Sequence, residues 1–326
     1  MDVLVVGLGS MGKRRIRLLK KFDSVGTIVG VDSREDRRAE AVKLGCRTAE
    51  SVDRALAENP GIGCAFISTS PLSHAALIRQ ALEHNLHVFT EINLVADGYE
   101  ENMRLAGEKG RVLFLSSTFC YREEIGYLQK KLAGKSRLNY IYHVGQYLPD
   151  WHPWENYRDF FIGNRRTNGC REVMAIELPW ITGTFGAVRK FHVLSDHMTD
   201  LNISYCDNYL IELQHENGNK GIFAVDVVSP KAVRKLEVYG EGLYYSWDGT
   251  PTSLEEFCSE TGETRTVRFS QNDHEEGYRA FIIENAYENE IRAFFDAIQK
   301  KKTPRYGFAE DLKLLRLIDR IEEAAE

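Results

Sequence analysis

Three stretches of this chain carry residue types whose spacing could do chemistry. Near the N-terminus, Gly7-Leu8-Gly9-Ser10-Met11-Gly12 is a G-x-G-x-x-G, and Asp32 follows about twenty residues later. In such a loop Gly7 permits a tight turn, Gly9 lets the backbone approach a pyrophosphate, and Gly12 lets a helix pack against a strand. The N–H groups of Ser10 and Met11, at a helix start, would meet the phosphate charge with the positive end of the helix dipole. Asp32 would accept from the adenosine ribose hydroxyls, with Ser33 and Arg34 beside it. A carboxylate there repels a 2′-phosphate, so NAD is the expected cofactor. The Arg34 guanidinium, which could pair with that phosphate, leaves NADP open.

The second stretch is Pro149-Asp150-Trp151-His152-Pro153-Trp154-Glu155-Asn156-Tyr157-Arg158. Trp151, Trp154 and Tyr157 offer flat apolar faces of the kind that pack on sugar rings. His152, Asn156 and Arg158 add hydrogen-bond donors for hydroxyls or a carboxylate. His152 titrates in the range useful for proton transfer, as does His143 before it. The same composition also suits an aromatic-anchored loop at a domain or subunit interface.

The third stretch is a helical run, 171–185, in which Val173, Glu177 and Trp180 share one face. A carboxylate held among apolar and aromatic groups has its charged form disfavoured, which raises its pKa and suits a general acid or base. An ion pair between Glu177 and Arg165 or Arg166, anchoring the preceding loop, is the other reading.

The elements that must position these residues follow from the apolar pattern. Residues 3–6 read as a strand buried on both faces, 12–22 as a helix, 27–32 as a strand and 34–44 as a charged helix. Strands at 64–68, 87–90 and 111–115 alternate with helices at 72–83 and 98–109. This alternation predicts a doubly wound parallel sheet of the Rossmann kind over residues 1–118. Residues 119–326 read as an α+β domain for substrate binding and oligomerisation, with a mostly antiparallel open sheet. Its helices are expected at 123–132, 171–185, 275–299 and 309–323. Its strands are expected at 138–146, 191–195, 208–215, 221–229, 232–239 and 243–247, with a hairpin turn at 216–219.

Composition narrows the classes. The 326 residues are 43% hydrophobic and 28% charged, as in a folded globular protein. A formal net charge of −6 gives no electrostatic footprint for nucleic acid or an anionic membrane. The six cysteines stand singly, with no metal-ligand spacing, and no metal is expected. No signal-peptide pattern or membrane-length apolar run is read, so the expected location is a reducing cytoplasm.

With the segments Thr69-Ser70-Pro71-Leu72-Ser73-His74 and His87-Val88-Phe89-Thr90-Glu91 added to the fingerprint, the chain resembles the Gfo/Idh/MocA family of oxidoreductases. The resemblance implies Ser68, Thr69 and His74 near the cofactor's diphosphate and ribose, and Glu91 near the nicotinamide ribose. Where the family has Glu-Lys-Pro, this sequence reads Glu91-Ile92-Asn93, so the lysine that polarises the reacting oxygen in relatives is absent. The family's Asp and His on the later helix fall on Val173 and Glu177. Asn93 could stand in as a neutral donor, and Tyr121 and Arg122 lie where relatives carry a substrate-side motif. Candidate catalytic residues are therefore Glu177, His152, Tyr121 and Asn93. Candidate substrate contacts are Arg122, Trp151, Trp154, Tyr157, Arg158 and Trp180.

Together these readings predict an NAD-dependent oxidoreductase acting on a sugar, amino sugar or nucleotide sugar. The alternatives are a redox sensor or assembly protein that binds NAD without turnover, and an enzyme that uses a captive NAD for transient oxidation. The open sheet also predicts a homodimer or homotetramer.

Overall fold

The computed structural model describes residues 1–151, 156–269 and 282–325. They divide into two units, one of Met1–Ser117 and Tyr287–Leu312, the other of Thr118–Ala286 and Lys313–Glu326. In the first unit, β1 (Asp2–Val6) is apolar and covered on both faces, as a central strand of a parallel sheet must be. It is followed by α1 (Ser10–Leu19), β2 (Ile28–Val31), α2 (Glu35–Lys43), β3 (Arg47–Ala49), α3 (Val52–Glu58) and β4 (Ile62–Ile67). Then come α4 (Pro71–Glu83), β5 (His87–Thr90), α5 (Tyr99–Glu108) and β6 (Leu113–Leu115). The strands form a parallel sheet in the order β3-β2-β1-β4-β5-β6. Strand order reverses at the β1–β4 pair, the place where sheets of this kind bind ligands at their C-terminal edge.

The sequence pattern did not predict β3 and α3. The strand has three residues, of which only Ala49 is buried, and it pairs with β2 alone. An edge strand so short shows no usable alternation. The helix after it starts at Ser51, whose side chain accepts from the Arg54 N–H.

The second unit contains α6 (Glu123–Leu132), β7 (Asn139–Gly145), α7 (Gly169–Phe185), β8 (Val188–Asp196), β9 (Asn208–His215), β10 (Lys220–Asp226), β11 (Val233–Gly240) and β12 (Leu243–Trp247). Two further short strands, β13 (Glu255–Cys258) and β14 (Glu263–Thr266), extend the sheet beyond its expected edge. The order is β14-β13-β12-β11-β7-β10-β9-β8, antiparallel throughout except for the β7–β10 pair. One face is buried: Tyr140 stacks on Phe185 at 4.1 Å, and Tyr142 meets Trp180 at 5.1 Å and Phe223 at 5.7 Å. Gly221 is required there, because a Cβ would stand 1.9 Å from the Tyr140 ring. The other face leaves Ile141, Leu194, Leu210 and Ile222 exposed.

The last helices are α8 (Glu284–Ile298) and α9 (Phe308–Glu323). The expected helix at 275–299 starts in residues outside the described ones and is seen from Glu284. The chain leaves the first unit after Ser117 and returns to it over Tyr287–Leu312. The cause is an aromatic ladder. Phe66, Phe89 and Phe114 stack across β4, β5 and β6 at 4.7 and 5.1 Å, and Phe294 of α8 sets its edge against all three. Burying those rings is the dominant drive for that return.

Candidate functional site: a nucleotide loop and an inward-turned helix

The three fingerprint glycines are required for different reasons. Gly7 has φ +90° and a Cβ there would lie 2.6 Å from the Ser68 carbonyl oxygen. At Gly12 a Cβ would lie 1.9 Å from the Gly7 carbonyl oxygen, so helix–strand packing alone demands glycine. Gly9 differs: a Cβ there would meet only the Arg37 guanidinium, at 3.7 Å. The fold itself has room for a side chain at Gly9, which leaves close approach of a ligand as the reason for glycine. Gly9 is also the N-cap of α1 without a side-chain cap, and the first turn holds no acidic residue. An uncapped positive helix end beside open backbone fits the diphosphate of a dinucleotide.

Asp32 closes the other side of this loop. Its Oδ2 accepts from the Leu8 N–H at 2.9 Å and its Oδ1 from the Arg34 N–H at 3.0 Å. Arg34 is turned away, pairing with Asp36 at 2.5 Å, so it does not stand at the Asp32 carboxylate. Ser33 is exposed and its carbonyl accepts from Arg38. Ser10 is exposed, and Met11 receives the Arg14 guanidinium on its sulfur at 3.4 Å.

The residues implied near the diphosphate and nicotinamide ribose sit at the ends of β4 and β5. Ser68 donates from Oγ to Glu91 Oε1 at 3.3 Å, and the Thr69 hydroxyl meets Ser73 at 2.7 Å. Glu91 is gripped from below by Arg15, whose Nε and Nη2 donate to its two oxygens at 2.6 and 2.8 Å. The same guanidinium reaches Glu290 at 2.9 Å and lies over the Phe89 ring at 4.5 Å. Burial lowers the Arg15 pKa and the two carboxylates raise it; the carboxylates win. Burial raises Glu290 above the usual carboxylate range although Arg15 opposes it.

Asn93 is buried with its Oδ1 2.6 Å from His74 Nδ1. Nε2 of that ring donates to the Thr69 carbonyl at 3.0 Å. Burial lowers the His74 pKa, against its hydrogen bonds to Asn93 Oδ1 and the Thr69 carbonyl, which raise it. Asn93 and His74 thus brace one another behind Thr69, and the role of Asn93 seen in the fold is this support.

In the second unit α7 starts at Asn168, whose side chain accepts from the Arg171 N–H at 2.7 Å. Glu177 is fully buried, but not among apolar groups alone. Its Oε2 accepts from the Tyr142 hydroxyl at 2.7 Å and Trp180 Nε1 at 2.6 Å, and its Oε1 from Arg234 at 2.6 Å. The expectation of an uncompensated carboxylate is corrected, because a guanidinium and two neutral donors meet the charge. The ion pair is made with Arg234 of β11, not with Arg165 or Arg166. Tyr142 is in turn held well above the ordinary phenol range, by burial first and then by Glu177.

The Arg234 guanidinium also covers the Phe119 ring at 4.3 Å, and Arg122 faces the same ring at 5.3 Å. Arg122 is buried under Trp247 and pairs with Glu124 at 2.8 Å, which engages it inside the fold. Tyr121 is buried in the turn before α6. Trp151 donates from Nε1 to the Gln146 carbonyl at 3.0 Å, with Tyr157 half-buried and Arg158 exposed farther along the loop. His152 and Trp154 lie outside the described residues. His143 meets Asp226 at 2.6 Å on the open side of the sheet.

Arg15, Glu290, Arg234, Tyr142 and Arg37 were not singled out from the sequence. The first three carried a signal: each is a charge at a position whose periodic neighbours are apolar.

The first 117 residues match the family model described as an oxidoreductase family with an NAD-binding Rossmann fold, GFO_IDH_MocA. Mouse biliverdin reductase A is 34% identical over 140 residues, which are 42% of this chain and 46% of that protein. The chain thus spans about half the length of the curated relatives it matches. UDP-N-acetylglucosamine 3-dehydrogenase GnnA from Acidithiobacillus ferrooxidans shares the fold with a TM-score of 0.78 at 18% identity, covering 99% of this chain and 97% of that one. Levoglucosan dehydrogenase, solved with NADH and L-sorbose, shares it with a TM-score of 0.81 at 14% identity, covering 100% and 96%. Residues 1–117 are thus similar to the NAD-binding Rossmann domain of the Gfo/Idh/MocA oxidoreductases.

Proposed function

We propose that this protein is an NAD-dependent oxidoreductase that oxidises or reduces a carbinol of a sugar, amino sugar or nucleotide sugar. The observation that carries the reading is the Gly9 loop, open and uncapped where the rest of the fold would tolerate a side chain. NAD, when bound, supplies the hydride acceptor or, reduced, the donor. Ser10, Met11 and Gly12 would meet its diphosphate and Asp32 its adenosine ribose. Glu91, fixed by Arg15, would face its nicotinamide ribose.

Handling of the hydroxyl proton is assigned to Tyr121 and His152. Glu177 is assigned a supporting role, because its three donors hold it within the unit and it fixes Arg234 and Tyr142. The Trp/Tyr/Arg loop, with Trp151, Trp154, Tyr157 and Arg158, supports a carbohydrate-like substrate. So do the sugar-linked names of the similar structures. A screen of sugars and nucleotide sugars, followed by cofactor absorbance at 340 nm, tests this. Turnover lost in Tyr121→Phe and His152→Ala supports the assignment, and turnover unchanged in both refutes it.

A second reading rests on a specific observation. Mouse biliverdin reductase A is 34% identical to 140 residues of this chain, and a buried Asn93 stands where the Glu-Lys-Pro triplet would place its lysine. Hydride delivery to a conjugated tetrapyrrole carbon needs no charged group on a reacting hydroxyl. Bilin reduction with no sugar turnover in the same assay would favour it. NAD that stays bound through purification would favour transient internal oxidation, and bound NAD without turnover a sensor.

The exposed Ile141, Leu194, Leu210 and Ile222 lie on the open sheet face, and we assign that face to a second copy in a homodimer or homotetramer. A monomer by light scattering at micromolar concentration would refute this. No described helix is long and apolar enough to cross a membrane.

A further inference from the structure

We infer that His74 is positively charged in the folded protein, held so by a hydrogen-bond chain through Asn93, Tyr99 and Asp311, and that this buried cation serves the dinucleotide site. That role rests on the dinucleotide reading proposed above. His74, on α4, is buried, and accepting oxygens stand at both of its ring nitrogens. Nε2 lies 3.0 Å from the Thr69 carbonyl oxygen and Nδ1 lies 2.6 Å from Asn93 Oδ1. The Thr90 hydroxyl, 3.3 Å from Nδ1, gives its own proton to the Glu91 carbonyl and so offers the ring a lone pair as well. A neutral imidazole has one N–H; only the protonated ring donates from both nitrogens. A neutral ring would leave two lone pairs facing each other across one of these contacts.

The orientation of the Asn93 amide is set from its other side. The amide also hydrogen-bonds the Tyr99 oxygen, and Tyr99, on α5, donates to Asp311 Oδ2. Asp311, buried on α9, receives the Tyr306 hydroxyl on Oδ1 at 2.7 Å. Burial first, and then Asp311, hold the Tyr99 pKa well above the ordinary phenol range, so its single proton stays and points to the carboxylate. The Tyr99 oxygen is then left to accept, and Asn93 must present Nδ2 to it and Oδ1 to His74. Turning the amide around would require Asp311 to carry the proton instead. In either case the chain from Thr69 to Asp311 holds one proton more than a neutral imidazole and a carboxylate bring, and the amide as placed puts it on His74.

Burial is the largest influence on the ring and opposes its charge, while the two carbonyl oxygens and Glu91 favour it. Of the titratable groups around it, Glu91 at the end of β5 is neutralised by Arg15, and Tyr99 and Tyr306 are phenols. Asp311 therefore completes the pair at the far end of the chain. The position of the charge gives it a use. Thr69, which His74 holds, packs on the first fingerprint glycine: a Cβ on Gly7 would lie 2.9 Å from Thr69 Cγ2. The imidazolium stands directly behind the loop that would face a diphosphate, in an interior where charge is weakly screened.

Nitrogen-15 magnetic resonance of the full chain, labelled on its histidine rings and with His74 assigned by its loss in His74→Gln, reads the charge without any ligand. At pH 8, above the ordinary histidine pKa of about 6.5, both ring nitrogens of His74 should be protonated. Tyr99→Phe cuts the link to Asp311 and frees the amide to turn, and Asp311→Asn removes the counter-charge. Each variant, shown to be folded by circular dichroism, should have a neutral His74 at that pH. Adenosine 5′-diphosphate, followed by calorimetry at pH 8, should bind roughly tenfold more weakly to Tyr99→Phe than to wild type. A wild-type ring with one protonated nitrogen, a ring still doubly protonated in both variants, or an affinity unmoved by loss of the charge would overturn the inference. A doubly protonated ring in a wild-type chain that binds no adenosine 5′-diphosphate would instead overturn the dinucleotide reading, and with it the role of the charge but not its presence.

Discussion

Each unit buries an arginine against carboxylate, and the two clusters are built on opposite balances. In the first unit one guanidinium, Arg15, serves two carboxylates, Glu91 and Glu290, with Ser116 donating as well. In the second unit one carboxylate, Glu177, receives one guanidinium and two neutral donors. The first arrangement depends on its cation, since removing it leaves two buried negative charges. The second is distributed, so that loss of Arg234 still leaves Glu177 with Tyr142 and Trp180. The contrast also separates the roles of the two units. Glu91 is propped by charge from within its unit, whereas Glu177 is drawn into the packing of the second.

The largest effects should come from breaking the two clusters. Arg15→Ala is expected to cost about 5 kcal/mol of stability or to prevent folding, and Arg234→Ala about 3 kcal/mol, by urea denaturation. The reverse order would contradict the balance just described.

A fourth carboxyl sharpens the comparison because it has no opposing charge among the described residues. Burial alone pushes half-buried Glu172, on α7, up to about 7 from 4.5. A group whose folded pKa is raised binds its proton more tightly in the native state, so its stabilisation is complete below about 4.5. That stabilisation falls away as pH rises through about 7. Wild type should therefore lose roughly 2 kcal/mol relative to Glu172→Gln between pH 5 and pH 8. Parallel stability curves for the two proteins would show that the carboxyl is not desolvated.

Smaller effects on folding distinguish the loop. Gly9→Ala should change stability by about 1 kcal/mol or less, since the fold has room for a Cβ, while lowering NAD affinity at least about tenfold. Gly12→Ala, facing a carbonyl at 1.9 Å, should instead lower the melting temperature markedly. The smallest effect belongs to the surface: removing the exposed Arg34–Asp36 pair should shift stability by less than about 0.5 kcal/mol.

What was legible in the sequence follows from how local its cause is. The glycine loop, Asp32 and the alternating strands were readable because backbone sterics and apolar period are properties of neighbouring residues. The buried charges were half-readable. Arg15 falls on the apolar face with Leu18 and Leu19, Glu290 with Ile291 and Phe294, and Arg234 with Leu236 and Val238. Each spacing marks an inward-facing charge, but its partner lies far off, 275 residues for Arg15 and Glu290, and 57 for Arg234 and Glu177. The partner of Glu177 was therefore sought nearby, at Arg165 and Arg166, while a strand across the sheet supplied it. For the same reason the return of Tyr287–Leu312 to the first unit was not foreseen: its anchor, Phe294, packs on rings contributed by three distant strands.

The central claim is that the Gly7–Gly12 loop holds a dinucleotide. Native mass spectrometry of the purified full chain, alone and with NAD+, NADH, NADP+ and NADPH added separately, tests it most directly. The account predicts one NAD(H) per chain, whether retained from purification or bound on addition, and its loss in Gly9→Ala. A folded wild-type chain that takes up none of the four would contradict it.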